Sequence, residues 1–258
     1  MTNEKHSRQE DTERPLISHL LELRSRILRM LSVVLVVFLG LYPIRELLYA
    51  WLSGPLRAVL PPDAHMIATQ VATPFLIPLK LALVMAFFIC IPYILYQVWA
   101  FVAPGLYRHE RRLLWPLLIS SVTLFYIGMA FAYFVVFPLL FGFFARATPP
   151  GVAMMTDIGE YLSFVLTLFF AFGAAFEVPV ATVLLVRTGL TTRATLAGQR
   201  PYVIVGAFTI GMLLTPPDVL SQVLLAVPIW LLYEIGLILS ARFAPHPNTD
   251  LTTSGRQR

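Results

Sequence analysis

Apolar residues in this chain neither alternate nor form a narrow stripe; they fill long blocks separated by short polar breaks. The blocks fall at about 28–44, 74–103, 113–140, 161–186, 202–214 and 219–241. A hydrocarbon layer ~30 Å thick requires about twenty consecutive apolar residues in a helix that rises 1.5 Å per residue. The pattern therefore predicts an all-α polytopic membrane protein with six transmembrane helices. Three regions follow: an N-terminal segment, residues 1–26; a six-helix domain, 27–241; and a tail, 242–258. The tail and residues 1–14 are polar enough to be expected disordered. The first block starts too late, after too many charges, for a cleaved signal peptide, and is read as a retained helix.

The blocks are unequal. Thirteen residues in the fifth give about 20 Å, short of the layer, whereas the second and third would reach roughly 40 Å and must tilt, bend or protrude. Residues 45–73 begin amphipathic (Leu47, Leu48, Trp51, Leu52, Leu56) and turn polar at Pro61, Pro62 and Asp63, as an interfacial helix and loop would. Pro92, Pro116, Pro138, Pro179 and Pro228 lie in or beside blocks, and each deletes a backbone donor. Bent helices forming a concave scaffold are expected. The pairs Gly128/Ala132 and Ala171/Ala175 permit close helix contact. The last two blocks are joined by four residues only, Thr215, Pro216, Pro217 and Asp218, which makes a tight hairpin. No internal repeat of the kind that builds many transporters stands out.

Composition agrees with the pattern: 58% of the 258 residues are hydrophobic, 13% are charged, and the mean hydropathy is +0.76. One soluble core cannot hide that much apolar surface. The net charge of +5 and pI near 9.6 do not point to nucleic acid, because the basic residues sit at block ends rather than along one polar face. They set direction instead. Lys5, Arg8, Arg14, Arg24, Arg26, Arg29, Arg108, Arg111, Arg112, Arg187, Arg193, Arg200, Arg242, Arg256 and Arg258 share one side; only Arg45, Arg57 and Arg146 lie on the other. By the positive-inside rule both termini are cytoplasmic. Cys90 stands alone in an apolar block and reads as packing.

The chain carries no hydrolase, metalloprotease, Walker or dinucleotide motif, and its five histidines (His6, His19, His65, His109, His246) all lie outside the blocks. The reading is a non-enzyme that needs no metal or cofactor. The informative residues are acidic. Glu177 lies near the middle of the fourth block, where an ionised carboxylate costs about 2.5 to 3.5 kcal/mol; it faces protein or water, or stays protonated. Lys80 and Glu234 sit nearer block ends, where snorkelling accounts for them. Asp218 suits the N-terminus of the last helix. Glu22 and Glu110 stand on a cytoplasmic face otherwise dominated by arginine, and two readings of them stay open. Either they balance local charge, Glu22 through Arg26 one turn on, or they hold an incoming basic group by charge-assisted hydrogen bonds, for which arginine is the best-matched donor.

The segment His19-Leu-Leu-Glu22-Leu-Arg24-Ser-Arg26 resembles the opening motif of the TatC family, the multispanning subunits of the twin-arginine protein translocase. Further matches follow in order: Thr73-Pro-Phe75, the long run from Pro92 through Phe101 and Pro104 to Glu110-Arg-Arg, Phe125-Tyr-Ile-Gly, Phe176-Glu177-Val-Pro179, Arg200-Pro-Tyr202 and Met212-Leu-Leu-Thr-Pro216-Pro-Asp218. The likeness covers residues 15–242. It implies a core receptor in the bacterial cytoplasmic (inner) membrane that binds twin-arginine signal peptides of folded precursor proteins. Its implied partners are the single-span TatA and TatB subunits, further copies of itself and membrane lipid, with no nucleic acid, and the proton motive force drives export. Residue by residue, the resemblance makes Glu22, Glu110, Phe101 and Arg24 signal-peptide positions. It makes Glu177 the intramembrane glutamate, and Met212, Leu213, Thr215 and Gln222 partner contacts. Pro55 and Asp218 match further functional positions. The competing class is an ion-coupled small-solute transporter with Glu177 as its proton carrier; it predicts solute uptake by the chain alone in vesicles.

Overall fold

The computed structural model describes residues 3–52, 67–102, 114–147, 157–214 and 219–243. Among these residues the chain is all helical apart from one isolated bridge between Ile67 and Asp157. Eleven α-helices are described: α1 Asn3–Leu41, α2 Arg45–Leu52, α3 Thr73–Ile89, α4 Ile91–Val102, α5 Leu114–Phe131, α6 Phe137–Ala147, α7 Ile158–Ala175, α8 Val178–Arg187, α9 Arg193–Gly198, α10 Arg200–Leu214 and α11 Val219–Phe243. The chain falls into two compact units, Met1–Phe172 and Gly173–Arg258.

Four stretches are long and apolar enough to cross a membrane: Leu20–Ala50, Trp115–Phe144, Ile158–Arg187 and Ser221–Ala241. A fifth results if the bent pair α3 and α4 is one span, and α10 is a shorter apolar helix. At 15 residues α10 is about 22 Å long, so it stays short of the layer although it begins earlier than its apolar block. The helix α1 starts at Asn3, which corrects the expectation of disorder over residues 1–14; the segment is polar, but Glu4, Lys5, Arg8, Gln9, Glu10, Glu13 and Arg14 all favour helix. Residues 244–258 lie outside the described residues.

In the first unit, α3 packs on α1 and α2, and α4 packs on α1 and α5. Val34 of α1 meets Ala86 and Cys90 in one small cluster. Most of α1 beyond it exposes large apolar side chains, with Leu31 at 62% and Val36 at 69%. Such a helix is stable only where lipid or another apolar surface covers it. Along α5 and its continuation, Ser121, Phe125, Gly128, Ala132, Val136 and Leu140 are buried at steps of three and four, so one stripe faces protein. An aromatic group fills the space beside that stripe. Phe169 lies 6.1 Å from Phe88, 6.4 Å from Tyr133 and 5.1 Å from Phe137.

Some of the prolines coincide with breaks or irregular turns, whereas Pro116 and Pro228 lie in the uninterrupted helices α5 and α11. Between α3 and α4 the axis turns by 52°. Pro92 has no N–H for the carbonyl of Phe88, the acceptor one α-helical turn back. Two groups compensate. The Tyr126 hydroxyl on α5 donates to the Phe88 oxygen at 3.0 Å, and the Cys90 N–H, bonded to the Ala86 oxygen at 3.0 Å, also reaches it. Helical bonding resumes with the Ile94 N–H on the Cys90 oxygen at 2.9 Å. Upstream of Pro138 the chain forms a π-helical turn over Ala132–Val136, which lets the helix pass a residue that cannot donate. The helix continues to Ala147, past the apolar block that ends near residue 140.

The α7 start is fixed by Asp157. One of its carboxylate oxygens accepts from the N–H groups of Gly159 at 2.7 Å and Glu160 at 3.1 Å, capping the free donors of the first turn. The other accepts from the Thr69 N–H at 2.9 Å and hydroxyl at 2.7 Å, and the Ile158 N–H donates to the Ile67 oxygen at 2.9 Å. Residues 67–70 are thus clasped to the head of α7. A Cβ on Gly159 would sit 3.0 Å from the capping oxygen, so a side chain there would press on the clasp.

In the second unit, α11 packs against α8, α9 and α10. Pro179 ends the helical run at Ala175, and the chain turns at Phe176 and Glu177 before α8 begins. Gly236 of α11 lies so close to α8 that a Cβ would overlap the Thr182 hydroxyl and stand 3.0 Å from the Pro179 Cα. The short α9, unexpected in the 187–200 connection, is capped by the Thr192 hydroxyl, which accepts from the Thr195 N–H. The Tyr233 hydroxyl donates to the Leu196 oxygen at 2.7 Å and ties α9 to α11.

Two measurements check these causes. Tyr126→Phe removes a donor from a carbonyl left without its helical partner, so the chain in detergent should lose about 1 kcal/mol in thermal unfolding; an unchanged midpoint contradicts that role. The two Thr69 bonds and the cap hold the Asp157 carboxyl well below its usual value of 3.8, at about 2. Because the folded value is depressed, the clasp is at full strength above pH 3.8 and weakens as pH falls towards 2. A carbon-13 titration of the Asp157 carboxyl should show a midpoint near 2, raised towards 3.8 by Thr69→Val; a wild-type midpoint near 3.8 overturns the assignment.

Candidate functional site: the junction of α1 and α4

Glu22 and Arg26 lie one turn apart on α1, on the face that meets α4. The Arg26 guanidinium donates twice to one Glu22 carboxylate oxygen, from Nε at 3.0 Å and Nη2 at 2.6 Å. The spacing of four leads to this pair, and the structure adds what the sequence did not supply: Arg26 also spans to α4. Its Nη1 donates to Gln97 Oε1 at 2.9 Å and its Nη2 to the Ala100 oxygen at 3.2 Å. Gln97 is buried, and its Nε2 donates to the Tyr93 hydroxyl at 2.8 Å, which turns the amide oxygen towards Arg26. The Trp99 indole N–H, on Ser121 Oγ at 3.1 Å, fastens α4 to α5.

The Arg26 side chain is 18% exposed and that of Glu22 38%. Shielding on one partner and access to the other leave a carboxylate held in place yet open to a ligand. Phe101, half-buried, follows Ala100 in the last turn of α4. Arg24 points elsewhere: with Arg29, Ser25, Ser32 and Tyr93 it lines an open cavity of about 570 Å³ whose other walls are Leu21, Leu28 and Val33. Glu110 lies outside the described residues, as do Pro55, Thr215 and Asp218.

Other polar residues in apolar helices are placed as follows. Glu177 is half-buried at the break between α7 and α8, where its N–H donates to the Ala174 oxygen at 3.1 Å. Glu234 does not act by snorkelling alone. It meets Arg200 in a two-point contact, Nε to Oε1 at 2.7 Å and Nη2 to Oε2 at 2.8 Å, which closes the N-terminus of α10 onto α11. The Lys80 ammonium donates to Ser163 Oγ at 2.8 Å, and that hydroxyl donates to the Gly159 oxygen at 2.7 Å. On α10, Met212 and Leu213 are exposed at 63% and 79%. Gln222 is half-buried on α11, and a Cβ on Gly211 would lie 3.5 Å from its backbone.

Gln97 and Tyr93 are the site residues that the sequence reading passed over. A lone amide in the apolar run of α4, one turn after a tyrosine, is the available signal, because a polar group at membrane depth needs a partner.

Taken together these features define a multi-pass helical membrane protein with a polar site where its first helix meets α4. The family model for the Sec-independent protein translocase protein (TatC) matches residues 18–228. A TatC from Azotobacter chroococcum mcd 1 is 62% identical over 232 residues, 90% of this chain and 91% of the relative. One from Escherichia coli (strain K12) is 58% identical over 231 residues, 90% of this chain and 89% of the relative. Among solved structures, one described as the crystal structure of the twin arginine translocase receptor TatC superposes with a TM-score of 0.80 at 38% identity, covering 87% of this chain and 99% of that one.

The chain belongs to the TatC family. It is a protein-transport subunit of the Sec-independent translocase, and the solute-transporter reading loses its ground.

Proposed function

We propose that this chain is the receptor subunit of a twin-arginine translocase, and that Glu22 and Glu110 receive the two arginines of a signal peptide at the cytoplasmic surface. The observation that carries this is the Glu22 carboxylate, half-exposed yet held by Arg26, which is itself bonded to α4. A guanidinium offers planar paired donors that suit such a carboxylate, whereas an ammonium is a point charge. Phe101 supplies an apolar surface for the peptide beside the charged pair, and Arg24 a basic neighbour. The high identity to TatC proteins across almost the whole chain supports the same reading.

Six spans with both termini in the cytoplasm accompany the proposal, α3 and α4 forming the second and α10 the fifth. The domain limits follow: a cytoplasmic segment 1–26, the membrane domain 27–241 and a cytoplasmic tail 242–258, in a bacterial inner membrane. The exposed Met212 and Leu213 with Thr215 and Gln222 form a contact surface for the single-span TatA and TatB subunits. Further copies of this chain complete the complex, and the proton motive force drives export. Pro55 and Asp218 act in the same cycle, and Glu177 is its intramembrane polar point. None of these roles requires bond-making chemistry by the chain.

Crosslinking tests the central step. A twin-arginine peptide should crosslink strongly to wild type, whereas its twin-lysine version, or Glu110→Ala with either peptide, should give several-fold lower yields. Equal yields in all four combinations contradict the proposal.

A further inference from the structure

The contacts of Arg26 go beyond neutralising Glu22. A surface pair one helical turn apart needs only those two residues, and contributes a few tenths of a kcal/mol to a helix. Here the guanidinium has four acceptor contacts on two helices: two on Glu22 Oε1, one on Gln97 Oε1 and one on the Ala100 oxygen. Gln97 is buried and turned by Tyr93. The arrangement orients Arg26 from behind, and through Arg26 it orients Glu22.

Both Arg26 bonds fall on the same oxygen of Glu22. Among the described residues Oε2 accepts from no side chain, and a carboxylate has about four acceptor sites. One oxygen is the tether and the other is presented. A carboxylate free to rotate would attract any cation; one held in a fixed plane favours a donor whose geometry fits that plane, and binding then costs less ordering.

We propose that Arg26, held by Gln97, is the positioning residue of the signal-peptide site. It presents Glu22 Oε2 to the guest guanidinium and so creates the preference for arginine over lysine. This inference rests on the receptor reading above. It is specific about sign. A resident arginine that merely competed with the guest would weaken binding, and its removal would tighten it. A positioning arginine does the opposite, and its removal affects the arginine peptide more than the lysine peptide, since a point charge is indifferent to the carboxylate plane.

The test uses the full-length chain in lipid nanodiscs and two synthetic signal peptides, one twin-arginine and one twin-lysine. The readout is the ratio of their dissociation constants, which a general loss of structure does not selectively change. Four forms are compared with wild type: Glu22→Ala, Arg26→Gln, Arg26→Lys and Gln97→Leu. The last leaves every charge in place and removes only the anchor. The ratio should fall about tenfold in Arg26→Gln, as expected for the loss of one charge-assisted hydrogen bond. It should fall in the same direction in Gln97→Leu and be partly kept in Arg26→Lys.

A wild-type ratio in both Gln97→Leu and Arg26→Gln, with the preference lost in Glu22→Ala, overturns the inference and leaves the receptor reading intact. Tighter arginine-peptide binding by Arg26→Gln also overturns it. A wild type that does not discriminate between the peptides removes the receptor reading and this inference together.

Discussion

In a hydrocarbon layer no water is available to satisfy a backbone N–H or C=O, so a chain that crosses it must satisfy each one internally. Prolines inside the apolar blocks challenge that constraint, and the architecture is largely the set of local answers. At Pro92 the answer is a hydroxyl brought from a neighbouring helix, Tyr126 on the Phe88 oxygen. Ahead of Pro138 it is a π-helical turn. At Pro179 the helix stops and restarts, with Glu177 in the gap. The first of these carries a bend of 52° between α3 and α4.

The bend at Cys90 shapes the candidate site. On one side of it, α3 packs along the C-terminal part of α1, where Val34 meets Ala86 and Cys90. On the other side, α4 carries Gln97 and Ala100 to Arg26. Two contacts with the same helix, one apolar and one polar, hold the outer part of α1 although most of its remaining surface is exposed. Fold and candidate site are linked through this bend, since the groups that hold Arg26 lie on the segment that Pro92 redirects.

Much of this was legible in the sequence. Block length pointed to long apolar helices, of which four, or five with the bent pair as one, are found, and Pro92 pointed to the bend between α3 and α4, because both follow from single-residue properties. The pairing of Glu22 with Arg26 follows from a spacing of four. The motif order identified the family that the comparisons establish. What could not be read were the cross-helix ties: Gln97 to Arg26, Tyr126 to Phe88, Arg200 to Glu234 and Thr69 to Asp157 join residues between 34 and 88 positions apart. Nothing local encodes such separations. Snorkelling alone left out the partner of Glu234 for this reason, since its arginine lies on another helix. The helical start at Asn3 and the short α9 show the remaining limit, because polar segments between blocks carry no hydrophobic period to read.

The central claim is that the junction of α1 and α4 receives the arginine pair. Disulfide trapping measures this directly. A twin-arginine peptide with a cysteine beside the pair is offered to a chain in which Cys90 is replaced by serine and a single cysteine stands either at Phe101 or at Met212. Efficient bonding at position 101, suppressed when the peptide arginines become lysines, and little at position 212, is the predicted result. Equal or preferential bonding at position 212 would contradict the account.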